Sequence, residues 1–60
     1  MTKYQIGDII SNGFYHYLVE DIRANNFSDL CYHLRRLQNN QTITSFVLVT
    51  DNDIDMEKVA

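Results

Sequence analysis

The 60-residue chain has no proline, two glycines and a single cysteine. Cys31 by itself excludes an intramolecular disulfide. Cys31, His16 and His33 would fill only three positions of a zinc site, and only if strand pairing brought His16 beside the other two, so a small buried thiol and two partly exposed imidazoles are the expected state. No run approaches the ~20 apolar residues of a membrane-spanning helix, and the opening Met-Thr-Lys-Tyr-Gln lacks the apolar core of a secretory signal, so the expected location is the cytoplasm. In that setting the triplets Asn26-Phe27-Ser28 and Asn40-Gln41-Thr42 are chance matches to a glycosylation acceptor. Excess positive charge is missing too: five Lys or Arg stand against eight Asp or Glu, for a net charge of -3. That balance disfavours general attraction to nucleic acid or to an anionic membrane.

Catalytic signatures are equally absent. There is no phosphate-binding glycine loop, no serine-centred motif and no carboxylate pair with a cleft to serve. Asp51-Asn52-Asp53-Ile54-Asp55 begins like a calcium loop, but Met56 stands where such a loop needs glycine, and no glutamate follows at its twelfth position. The segment reads instead as a turn carrying solvated acids. No cofactor and no enzymatic activity are expected.

What is present is the composition of a folding chain, with 45% hydrophobic residues, four tyrosines and three phenylalanines. One small domain over residues 1–60 is expected. A domain of this size buries only about 60% of the surface its unfolded form exposes. With disulfides excluded, association with other chains is the leading way to add stability, and a homo-oligomer is expected.

Along the chain, Tyr4 to Ile10 is apolar and β-branched around Gly7-Asp8 and reads as a strand, and Ser11-Asn12-Gly13 follows as a turn. Phe14 to Ile22 reads as a second strand, with Tyr15, Tyr17 and Val19 on one face and Phe14, His16, Leu18, Glu20 and Ile22 on the other. Residues 28–38 fit two templates. Leu30, Leu34 and Leu37, with Ser28 as cap and Phe27 stapled to Tyr32, fit a short helix. The alternation Leu30, Tyr32, Leu34 and the polar turn Gln38 to Gln41 fit a strand, which the weak helical propensity of Tyr32 and His33 favours. Thr42 to Thr50 is the clearest strand. A helical turn near Asp53 to Asp55 and a short last strand within Met56 to Val59 complete the reading.

Five short strands in this order, opened by Tyr-Gln-Ile-Gly-Asp-Ile-Ile and closed by a tight turn before a terminal strand, resemble a Src-homology-3-like small β-barrel over nearly the whole chain. The fold expected is thus mostly β, a five-stranded small barrel, with an α+β arrangement carrying one helix at 28–38 as the alternative. In size, acidity and lack of enzyme signatures the chain is also similar to the short accessory proteins of bacteriophages and prophages. That resemblance implies a protein that binds and inhibits a host protein or defence component in the host cytoplasm. The candidate binding residues are Tyr15, Tyr17, Tyr32, His33, Arg35 and Arg36. Tyrosine and arginine dominate protein-interface hot spots, which makes a host protein the first expected partner. Arginine forks with tyrosine faces also suit a nucleotide or other anionic small molecule held at a subunit interface, which is the alternative function.

Overall fold

Alternation decides the ambiguous segment. In the computed structural model, which describes residues 2–39 and 41–60 (backbone only for Thr44 and Ser45), residues 30–38 form a strand and not a helix. Leu34 and Tyr32 are fully buried and Leu30 packs against them, all on one side of that strand. Ser28, expected as a helix cap, has φ 64° and closes a hairpin turn. The amide of Asn25 donates to the carbonyl of Asp29 at 2.8 Å, and the Asn25 Oδ1 accepts from the amides of Phe27 and Asp29. Phe27 is left 85% exposed at the tip, so the expected staple onto Tyr32 does not form. The helix alternative is thereby overturned: a side chain that bonds backbone two and four residues ahead favours a turn over a helix start.

Five antiparallel strands result: β1 (Ile9–Ser11), β2 (His16–Ala24), β3 (Leu30–Gln38), β4 (Gln41–Thr50) and β5 (Glu57–Lys58). They lie in one sheet in the order β4-β3-β2-β1-β5. Among the described residues no ladder joins β4 to β5, so the hydrogen-bonded sheet is open and has two edges. The mostly β class expected from sequence holds, with no helix among the described residues, whereas the closed five-stranded barrel expected from the resemblance is not formed by these ladders.

The first strand is shorter and later than Tyr4 to Ile10. Gly7 adopts φ 97°, a conformation that costs glycine nothing, and Asp8 folds back so that its Oδ2 accepts from the Gln5 amide at 2.9 Å. Residues 5–8 are therefore a turn, which frees Tyr4 to enter the core. The Asn-Gly signal is correctly placed but supports a longer loop, in which the Asn12 Oδ1 accepts from the amides of Phe14 and Tyr15. Asn40, in the expected turn between the last two long strands, lies outside the described residues.

One irregularity changes which residues face inward. Val19 pairs with Leu34 and Asp21 with His33, so Glu20 is an extra residue on β2. A bulge reverses the alternation beyond it. Ile22 consequently joins Tyr17 and Val19 on the core side, contrary to the face the alternation predicts for it. A second shift separates the pairs Leu37 with Thr42 and Arg35 with Phe46, four steps on β4 against two on β3.

The core comprises Tyr4, Ile10, Tyr17, Val19, Tyr32, Leu34 and Ile54. Ile54 reaches it through a single turn over 50–54, earlier than the helical turn expected near Asp53 to Asp55, in which its amide donates to the Thr50 carbonyl at 3.0 Å. Tyr4 meets Tyr32 edge-on with ring centroids 5.4 Å apart, and its hydroxyl donates to the Met56 carbonyl. The Tyr32 hydroxyl donates to Asp51 Oδ1 at 2.5 Å and accepts from the Lys3 amide at 2.9 Å. Burial first, then the bond to Asp51, pushes the Tyr32 phenol above its ordinary value of 10.0.

Tyr32→Phe is expected to lower stability by about 1.5–3 kcal/mol, the usual loss for a hydrogen bond to a charged group, measured by urea unfolding. Because the folded-state value is raised, the wild type holds its full stability below the unfolded value near 10 and loses it as pH rises beyond, through the folded value. Phenolate absorbance should show one tyrosine ionising last, and that step should vanish in Tyr32→Phe.

Candidate interaction surface

Consecutive residues on a strand point to opposite faces, and this separates the one basic cluster in the sequence. Tyr32, Leu34 and Arg36 lie on the core side of β3. Cys31, His33, Arg35 and Leu37 lie on the outer side. Arg35 and Arg36 therefore do not form one patch.

On the outer face, Arg35 lies between β2 and β4. Its Nε donates to Glu20 Oε1 at 3.0 Å, one guanidinium nitrogen reaches the Ile43 carbonyl at 3.4 Å, and the guanidinium carbon stands 5.7 Å from the centre of the Phe46 ring. The bulge at Glu20 sits beside this ion pair. His33 pairs across with Asp21 on one side and Leu48 on the other. The Asp21 carboxyl is held below the ordinary carboxylate value, chiefly by the Ile22 amide at 2.9 Å and then by the Arg23 guanidinium. Phe46 and Leu48 complete this face, 57% and 54% exposed.

At the far end of the core side, Arg36 pairs across with Tyr17, and its guanidinium carbon stands 4.1 Å above the centre of the Tyr15 ring. Its Nε is buried and has no hydrogen-bond partner. Tyr15 remains 46% exposed.

Of the six candidate residues, Tyr15, His33, Arg35 and Arg36 thus reach the surface at least in part, in two separate places. Tyr17 and Tyr32 do not. They are 8% and 0% exposed, because Tyr4 and Ile54 fold over the same side of the sheet, and they act as core residues. Phe46, Val47 and Leu48 were missed by the sequence reading. The available signal was apolar residues at both odd and even positions of a strand that has no charged residue from 41 to 50.

Cys31 is buried and pairs with Arg23, whereas His16 pairs with Leu37 near the opposite end of the same ladder. Among the described residues no group of three or more His, Cys, Asp or Glu is placed to hold a metal, and no helix is long and apolar enough to cross a membrane. Two surface clefts of about 400 and 380 Å³ lie beside the Ser11 to Gly13 loop and beside His16, Leu37 and Val59. Neither is lined by any of the six candidates. Family models, curated proteins and solved structures were compared with the chain, and none matches it.

The Arg36–Tyr15 contact should be measurable by a double-mutant cycle. Arg36→Ala and Tyr15→Ala are expected to show a coupling of about 0.5–1 kcal/mol in thermal or urea unfolding, as for other partly exposed cation–π pairs.

Proposed function

We propose that this chain is a non-enzymatic binding protein that docks on another protein through the outer face of β3 and β4. The carrying observation is that Phe46 and Leu48, on the outer face, are exposed by 57% and 54%, with Arg35 and His33 paired beside them. An apolar centre with an arginine at its margin is the composition of an interface hot spot. Consistent with the resemblance to short phage accessory proteins, the partner in this reading is a host protein or defence component in the host cytoplasm, and docking inhibits it. We also read the sheet as a Src-homology-3-like small barrel opened between β4 and β5. What supports this is the return of β5 to the far side of β1 directly after the turn over 50–54.

A second reading has an observation of its own. Arg36, with a buried Nε that no group satisfies and a tyrosine ring beneath the guanidinium, offers a donor and a stacking face to an anionic small molecule such as a nucleotide.

One set of variants separates the two readings in native mass spectrometry of complexes purified from host extract. In the protein-docking reading, a defined partner cross-links to β3 and β4, and Phe46→Ser with Leu48→Ser weakens it by about 30-fold or more, the loss typical of hot-spot truncation. Arg36→Ala leaves that complex intact. In the small-molecule reading, the wild type carries a small extra mass that Arg36→Ala loses and the double variant keeps. A partner insensitive to Phe46 and Leu48 sinks the first reading.

A further inference from the structure

The two edges of the sheet differ in kind. β5 is two residues long, and both residues, Glu57 and Lys58, are charged and exposed. Short, charged edges resist pairing with other chains. β4 is ten residues long and carries no charge, no proline and no glycine, and among the described residues it pairs only with β3. The register shift between Thr42 and Phe46 disrupts the first half of this edge, but beyond it the described residues carry no charge, proline or further bulge to blunt it.

Three further observations select the occupant. Exposed apolar residues occur consecutively on β4, so both of its faces are apolar at the margin of the sheet, as is usual for strands in a sheet interior. The chain has a net charge of -3, and two copies repel wherever acids meet, but residues 41–50 contribute no charge to either side. The accessible surface is 4457 Å² for a mass of 7.1 kDa, where a monomeric protein of this mass exposes roughly 4,100 Å².

We infer that the β4 edge pairs antiparallel with the β4 edge of a second copy of this chain, over 46–49, beyond the register shift and before Thr50, whose carbonyl is taken by Asp53 and Ile54, joining two five-stranded sheets into one. A two-fold pairing uses the same edge on both copies. Among the described residues the edges left are the two charged β5 strands, so assembly stops at the pair. The pairing uses the backbone of β4, whereas the proposed host docking uses side chains of its outer face, so the two stand or fall separately. The pair sets two copies of the Arg35, Phe46 and Leu48 surface side by side.

The test is sedimentation equilibrium of the wild type from micromolar to millimolar concentration, with residue-resolved hydrogen exchange on β4. The expected result is a species of twice 7.1 kDa. In it the amides of Phe46 and Leu48, which point away from β3, exchange at least tenfold more slowly than in Val47→Lys. That variant adds a charge beside the edge on the side away from Phe46 and Leu48, and it should dissociate at least tenfold more readily. A monomer at every concentration overturns the inference. So does a dimer whose outward β4 amides exchange freely, since it would pack through a face, and so does an open-ended series of larger species. Should Val47→Lys fail to fold, the wild-type mass together with exchange rates compared between dilute and concentrated protein still decides the question.

Discussion

The Tyr32 hydroxyl ties together three parts of the chain that the strand ladder alone leaves separate. It accepts from the Lys3 amide, donates to Asp51 and sits on β3, so the N-terminal segment, the third strand and the turn after β4 meet at one oxygen. Lys3 adds a bond from its ammonium to the Asp51 carbonyl at 3.0 Å. With its ends fixed there, Tyr4 can lie edge-on against the Tyr32 ring, and Ile54 can close the same side. Burying a phenol without partners is costly, whereas a satisfied one fixes the geometry around it. The core side of the sheet is apolar and, among the described residues, no helix covers it, so residues 4 and 54 serve as the lid.

That arrangement explains why aromatic content was a poor guide to the exposed surface. Four tyrosines in 60 residues suggest more rings than a small core can hold. Tyr4, Tyr17 and Tyr32 are nevertheless buried, and only Tyr15 stays partly open. Their burial depends on contacts between residues 29 to 52 apart, such as Lys3 with Tyr32 and Tyr4 with Met56, and periodicity in a local window carries no trace of these.

The strands themselves were legible where alternation was strong. Leu30, Tyr32 and Leu34 mark β3 correctly, and once β3 is a strand, the opposite orientations of Arg35 and Arg36 follow from parity alone. Reading those two as one patch neglected that step. The inward turn of Ile22 is different in nature, because the bulge at Glu20 is set by how β2 pairs with β3. No residue type at position 20 announces it. Gly7-Asp8 did carry a turn signal, but the β-branched residues around it weighed more in the sequence reading than glycine's preference for positive φ.

Barrel closure and edge exposure are two outcomes of one constraint on β4. Every interior strand has its backbone donors and acceptors satisfied on both sides, and a closed barrel satisfies them for all strands. Here the strand at the opposite end of the order is β5, and two residues cannot serve a strand of ten. The chain after β4 also turns immediately toward the core, with Ile54 bound back to Thr50, and then runs beside β1, where the Ile9 amide donates to the Ala60 carbonyl at 2.7 Å. The last residues are thus committed to the far side of the sheet. With the Thr50 carbonyl taken by that turn, the outward backbone groups of Phe46 and Leu48 are left to water or to another chain, and apolar side chains on both faces of Phe46 to Leu48 weigh against water.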